Sequence, residues 1–260
     1  MNDLLKKILD NKRAEVAFNR GIAALADLKR KAADAPPTRG FEKSIRLAAA
    51  KHKVIAEIKR MSPAGGWAAR NFDPSSIAKG YEASGAAAIS VLTDGLFFGG
   101  SAHCLALAKK SVNLPLLRKD FIIDPYQIYE SRIIGADAVL IMALNFESKA
   151  HAADMVGIAL EIGLEVLFEI HDEVGLIPPG VCVGINNRSF MDKNLKVDTV
   201  VTQRLAPLLR GNKKLLVSES GIRDSATMEE LEKAGADAFL IGSALMKKDD
   251  PGKALLQLLR

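Results

Sequence analysis

The sequence predicts an α/β protein folded as a closed (β/α)8 barrel, and three observations predict it. Short apolar, β-branched runs recur eight times along the chain. Segments of helical period separate most of them, many opening on Asp or Ser and closing at Gly. The runs are apolar on both faces, as strands of a parallel sheet are when helices cover them. A step of roughly 30 residues per strand and helix is what a βαβ unit needs, and eight such steps favour closure into a barrel over a doubly wound open sheet.

In chain order, residues 1–48 form an N-terminal helical extension, with the amphipathic stretch LLKKILDNKRAEVAF followed by the loop-like ADAPPTRG. Residues 49–260 form the barrel on which it packs, one domain overall. The extension either only caps one end of the barrel or also borders a ligand site, and the sequence favours neither. VIAEIK from position 54 is the first strand, and the long loop SPAGGWAARNFDP after it, with Trp67, suits a mobile lid. DPSSIAKGYEASG reads as a helix, then AAISVLT from 87 and LPLLRKD from 114 as strands. DPYQIYESRIIG, AVLIMAL from 138, ESKAHAADMVGIALEIG and EVLFEI from 165 continue the alternation. Between the fifth strand and the sixth, CVGINN from 182, lies only HDEVGLIPPGV. Its adjacent prolines exclude a full helix, so a shortened helical turn is expected there, with the outer wall thin or filled by something else. KLLVSES from 214, SATMEELEKAG and AFLIGSAL from 238 complete the set. GADAVLIMAL and GADAFLIGSAL echo one another, as repeated βα units do.

Composition narrows the class. With 48% hydrophobic and 26% charged residues among 260, disordered and fibrous classes are excluded. The start MNDLLKKILDNKRAEV is too charged for a secretory signal, and no apolar run approaches the roughly 18 residues of a membrane span. A cytoplasmic protein with no membrane partner is expected. A net charge of +5 suits an anionic ligand, but the basic residues are scattered and aromatics few, which argues against nucleic acid. Cys104 and Cys182 lack metal-ligand spacing and read as buried thiols.

In such a barrel the C-terminal strand ends face one mouth, where active sites form. Glu57 and Lys59 end the first strand, Lys119 the third, Glu169 the fifth and Glu219 the seventh, all odd-numbered. Since each interior layer is built from alternate strands, Lys59, Lys119, Glu169 and Glu219 are expected in one layer, with Glu57 two residues below Lys59. Ammonium groups beside carboxylates at a partly desolvated site suit general acid–base chemistry, and equally a Schiff-base nucleophile. The Gly-Ser pairs Ser220-Gly221 and Gly242-Ser243 fall at the seventh and eighth strand ends, the common phosphate site of barrels, and Arg188 adds a charge nearby. His171 reads as a loop histidine. Phe98 and Phe121 either sandwich an aromatic ligand or pack hydrophobically.

AEIKRMSP, SVLTDGLFFGGS, LLRKDFIIDPYQIYESR, FEIHDE, GINNR, VSESGI and FLIGSALM together resemble the indole-3-glycerol phosphate synthase family of tryptophan biosynthesis, and the N-terminal stretch resembles that family's helical extension. The resemblance implies a TIM barrel and a carboxy-lyase without metal or organic cofactor. Its reaction turns 1-(2-carboxyphenylamino)-1-deoxyribulose 5-phosphate into indole-3-glycerol phosphate. It also implies roles. Lys119 is the acid of ring closure; Lys59 binds the substrate carboxylate and serves in dehydration; Glu169 is the base; Glu57 orients Lys59. Asn186 and Glu219 hold hydroxyls or complete the proton network, and Ser62 assists at the substrate. Ser220, Gly221, Gly242, Ser243 and Arg188 take the phosphate, while Phe98 and Phe121 flank the anthranilate ring. The chain departs from the family where Ala64 and Gly65 replace a Ser and a Lys, where Gly95 and Leu96 replace a charged pair, and in its short link after the fifth strand. The partner expected is a phosphorylated small molecule, for a monomer or weak homodimer. The alternatives are another phosphate-binding barrel, such as phosphoribosylanthranilate isomerase, against which Glu57-Ile58-Lys59 and Arg118-Lys119-Asp120 argue, and a non-catalytic ligand-binding barrel.

Overall fold

A computed structural model describes residues 2–62, 67–69, 72–209, 211 and 215–260. Eight parallel strands close into a barrel: β1 (Val54–Ile58), β2 (Ala88–Leu92), β3 (Leu116–Lys119), β4 (Ala138–Met142), β5 (Glu165–Ile170), β6 (Cys182–Asn186), β7 (Leu216–Glu219) and β8 (Ala238–Ile241), with β8 pairing back onto β1. Three helices precede them, α1 (Asp3–Ile22), α2 (Leu25–Ala33) and α3 (Phe41–Leu47). Around the barrel run α4 (Pro74–Ala83), α5 (Ala102–Ser111), α6 (Pro125–Ile133), α7 (Lys149–Glu161), α8 (Val200–Leu209), α9 (Ser225–Ala234), the short α10 (Ser243–Met246) and α11 (Pro251–Leu258).

Local chemistry starts these helices where the sequence places them. Asp73, Asp124, Asp224 and Asp250 accept backbone N–H groups at the N-termini of α4, α6, α9 and α11, and Ser101 and Ser148 do so for α5 and α7. Each satisfies donors that the first helical turn leaves unpaired. The sequence echo is a reused strand start. Gly135 and Gly235 both turn with positive φ, and Asp137 and Asp237 each accept the backbone N–H of Leu116 and Leu216, both at 2.8 Å.

Outward-facing residues such as Val54, Ile89, Leu116, Val139, Phe168 and Phe239 pack under the helices, while Ile55, Leu117, Leu140, Leu167, Val217 and Leu240 fill the interior. The link from β5 to β6 holds one 3₁₀ turn, Val174–Leu176, as its two prolines dictate. Val174, Leu176 and Ile177 pack half-buried on the core and fill the wall that a helix would cover.

The residues before β1 wrap the barrel from mouth to base. Asn2 donates to the carbonyls of Phe190 and Asp192 beyond β6, and Leu5, Ile8 and Leu9 of α1 are buried in the interior cluster. Leu28 and Ala32 of α2 pack with Tyr126 and Tyr129 of α6. At the base, Phe41 and Ile45 of α3 are fully buried in the same cluster as the small residues Ala88, Ala138 and Ala238 that begin the strands. Glu165 fixes the α3 N-terminus, accepting the N–H groups of Phe41 and Glu42 at 2.6 and 2.9 Å. Cys182 is buried and Cys104 half-buried, and neither forms a disulfide. No described helix is long and apolar enough to cross a membrane.

Replacing Phe41 by Ala should cost about 3–5 kcal/mol through the cavity it leaves; urea unfolding measures this, and the kinetics of the folded fraction should be unchanged.

Candidate active site

Register sets the levels inside the barrel. Glu57 pairs with Ser90, Leu92 with Lys119, Met142 with Glu169 and Asn186 with Glu219. Because the strands tilt, a level is followed by climbing one residue per strand. On that rule Glu57, Lys119, Glu169 and Glu219 share one level, contributed by the odd strands. Lys59, expected in that layer, lies two residues above it: it follows the last residue of β1, and its ammonium turns back to Glu57 Oε1 at 2.6 Å. Beneath the charges lie Ser90, Leu140, Gly184 and Leu240, and beneath those the apolar Ile55, Leu117, Leu167 and Val217.

At the centre, Lys119 Nζ donates to Glu169 Oε2 and Glu219 Oε2, both at 3.0 Å. Asn186 Nδ2 donates to Glu169 Oε1 at 3.1 Å, and its own Oδ1 accepts the Arg188 N–H at 2.9 Å. Glu57, Glu169 and Glu219 are each 3% exposed or less. Such burial makes pairing obligatory for charged groups. Burial works against the Lys119 charge, but Glu169, Glu219 and Glu57 outweigh it and hold the ammonium protonated. Burial pushes the Glu219 carboxyl up to about 8 despite Lys119, with Glu169 adding to the rise. Glu219 therefore keeps its proton near neutrality, and its Oε1 is buried without a hydrogen-bond partner among the described residues.

Two glycines make room for these carboxylates. A Cβ on Gly184 of β6 would lie 2.1 Å from Glu219 Oε1, and one on Gly242 would lie 2.0 Å from Glu57 Oε1 and 3.0 Å from Lys59 Nζ. Neither position tolerates a side chain without displacing an acid.

Above the charged layer opens a cavity of about 710 Å³. Every candidate catalytic and substrate-binding residue lines it. Lys119, Lys59, Glu169, Glu57, Asn186 and Glu219 form the floor, with Ser62, Phe98, Phe121, Arg188, Ser220, Gly221, Gly242 and Ser243 around them. The Phe98 and Phe121 rings stand 6.1 Å apart at 36°. Ser220 and Gly221 both take left-handed backbone, φ 68° and 83°, a conformation costly for Ser. Asn187 holds that turn, donating to Ser220 O at 2.9 Å and Ser218 Oγ at 3.1 Å. Burial pulls the Arg188 guanidinium down, Glu57 opposing, so an anion beside it is favoured. His171 lies half-buried with Nδ1 2.8 Å from Asn186 O. Leu96 at the second departure is exposed. Trp67 pairs its backbone with Ser62, whereas Ala64 and Gly65 lie outside the described residues.

Sequence reasoning missed other contributors. Leu4 of α1, Phe190, Arg223, Lys247 and Lys248 also line the cavity, so the N-terminal helix borders the ligand space. Asp120 lines it too, and joins Lys12 and Asp94 in a buried ionic cluster that extends behind the wall. Asn187 gave no signal beyond its place in INNR. Among the described residues Glu42, Glu165 and Cys182 approach as metal ligands would. Glu165 caps α3 there, and Glu42 pairs with Arg46 at 2.7 Å, so the group seats a helix.

Fold and site together define a (β/α)8 barrel of the enzyme class that holds a buried layer of acids and lysines beneath a cavity at its C-terminal mouth. The sequence model of one family, indole-3-glycerol phosphate synthase, matches residues 5–258. A protein of that name from Rhodospirillum rubrum is 39% identical over 266 residues, covering 100% of both chains. The chain belongs to the indole-3-glycerol phosphate synthase family, whose members are carboxy-lyases. Solved tryptophan synthase alpha-subunits of Pyrococcus furiosus share the fold. One mutant aligns with a TM-score of 0.59 at 13% identity over 80% of this chain and 97% of its own, and a second structure with 0.57 at 13% over 81% and 96%.

Gly184→Ala should lower kcat by about a hundredfold by displacing Glu219, with a stability loss of about 1–3 kcal/mol; steady-state kinetics and urea unfolding together check this. Glu219 binds its proton more tightly folded than unfolded, so its contribution to stability is full below its ordinary range and is lost as pH rises through about 8. Glu219→Gln should flatten that part of the stability–pH profile; an unchanged slope would contradict the protonated assignment.

Proposed function

We propose that Lys119 is the acid that drives ring closure in the family reaction, the conversion of 1-(2-carboxyphenylamino)-1-deoxyribulose 5-phosphate into indole-3-glycerol phosphate. The observation that carries the reading is the Lys119 ammonium held between Glu169 and Glu219 at 3.0 Å each on the cavity floor. As the aromatic carbon bearing the carboxylate bonds to the ribulose carbonyl carbon, the carbonyl oxygen takes a proton from Lys119. Glu219, protonated beside Nζ, replaces it. Carbon dioxide then leaves, and its bonding electrons restore the aromatic ring. In dehydration the new hydroxyl departs as water with a proton from Lys59, and Glu169 removes the proton from the adjacent carbon to complete the indole double bond.

The remaining groups position the substrate. Lys59 and Arg188 face its anionic groups, Glu57 orients Lys59, and Asn186 orients Glu169. Ser220, Gly221, Gly242 and Ser243 receive the phosphate at the ends of β7 and β8, and Ser62 closes on the substrate from the first loop. Phe98 and Phe121 flank the anthranilate ring. The same reading includes a cytoplasmic monomer or weak homodimer.

Adding the substrate to purified protein and following indole fluorescence tests the reading. Lys119→Ala should bind substrate with little change in KM and lose about three orders of magnitude in kcat, within the range of general acid catalysis; near-normal turnover would overturn the role.

A further inference from the structure

Behind the aromatic wall of the cavity lies an ammonium that the reaction does not use. Lys12, on α1, is 2% exposed. Its Nζ sits 3.1 Å from Asp94 Oδ2, 3.0 Å from Asp120 Oδ1 and 2.7 Å from Glu15 Oε2. The two aspartates belong to different loops, just beyond β2 and β3, and each holds a phenylalanine. Asp94 Oδ1 accepts the N–H groups of Phe97 and Phe98 at 2.8 and 3.2 Å. Asp120 Oδ1 accepts the N–H of Phe121 at 2.8 Å.

We propose that Lys12 is a positioning residue, whose ammonium ties the loops after β2 and β3 to α1 and so sets the Phe98–Phe121 pair against which the substrate's aromatic ring packs.

The argument is one of charge and burial. Asp94 is fully buried and Asp120 nearly so. Without Lys12 two carboxylates on neighbouring loops would face each other in a desolvated space. Asp120 would keep Arg118, 3.1 Å away, and the Thr93 hydroxyl at 2.6 Å. Asp94 has Lys12 as its only ion-pair partner among the described residues. A buried carboxylate that loses its cation is strongly destabilised, and the segment that can relieve the strain by moving is the Asp94 loop carrying Phe98. Burial opposes the Lys12 charge, yet Asp120 and Asp94 hold its proton more tightly than usual. Burial outweighs Lys12 at Asp94 and pushes its carboxyl up, so acid weakens the link from the aspartate side and not from the lysine. Its chemistry also explains why α1 begins at the mouth: Asn2 anchors one end beyond β6, and Lys12 anchors the middle at β2 and β3.

The inference rests on the aromatic slot proposed above, and two ligands separate the two readings. A substrate analogue whose ketone is reduced to an alcohol cannot ring-close, so its Kd reports the slot, while turnover of the ketone reports the reaction. Lys12→Met should weaken the analogue and raise KM by about tenfold each, with kcat of the folded enzyme changed less. Asp94→Asn keeps an amide oxygen to cap Phe97 and Phe98 but cuts the ion pair, and should raise Kd by about threefold. The double variant should be less impaired than the product of the single effects. A folded Lys12→Met with wild-type Kd and KM but lower urea stability would reduce Lys12 to a structural residue and overturn the proposal, as would additive effects. If Lys12→Met does not fold, Asp94→Asn decides: a raised Kd supports the link, and an unchanged Kd overturns it. Wild-type protein that binds the analogue but does not turn over the ketone would sink the reaction and leave the positioning claim to the Kd values. Wild-type protein that does not bind the analogue would sink both.

Discussion

One lysine between two acids organises this molecule. Lys119 stands on β3, Glu169 on β5 and Glu219 on β7, and the three meet only if the sheet closes and its register climbs evenly. The barrel interior is then graded. Small residues begin the strands over α3, branched apolar side chains fill the next odd level, and the charges come above them, where the mouth starts to admit water. Such a group of charges is costly to desolvate. Glu219 lowers that cost by keeping its proton, which leaves the Lys119–Glu169 pair nearly balanced. The same electrostatics that make the layer tolerable give it a donor and an acceptor near neutral pH.

Space for that layer is cut by what the even strands lack. Gly184 and Gly242 flank the acids from below and above, and a methyl group at either would occupy carboxylate volume. Around the mouth, loops otherwise free to drift are tied by buried polar groups: Asn187 to Ser218 and Ser220, and Lys12 to Asp94 and Asp120. Interior charges are held by their register, and rim residues by a second set of buried contacts that includes the N-terminal helix.

What the sequence discloses follows from this division. A charge inside an apolar strand breaks a visible rule, so Glu57, Lys119, Glu169 and Glu219 announce themselves. The Asp and Ser caps and the two prolines after β5 act locally, and their outcomes were equally readable. Alternation puts Lys59 on the right face but at the wrong height, because it reports faces and only pairing reports levels. Lys12 looks like any other lysine in LLKKILDNKRAEV, since its burial is created by aspartates far along the chain. Asn187 likewise gains its meaning from Ser218, Ser220 and Thr202, none of them near in sequence.

The short link between β5 and β6 has a kinetic consequence. It brings Glu169 and Asn186 together across a separation of 17 residues, whereas Lys119 reaches Glu169 across 50 and Glu219 across 100. Loop-closure entropy rises only slowly with length, about 0.6 kcal/mol per doubling, but distant contacts must also wait for the strands between them. The pair around the base is thus native-like as soon as two adjacent strands zip together, and the lysine clamp follows. The contacts that shut the cylinder are more distant still, pairing Val54 of β1 with Phe239 of β8, so the catalytic layer can assemble before the barrel closes around it.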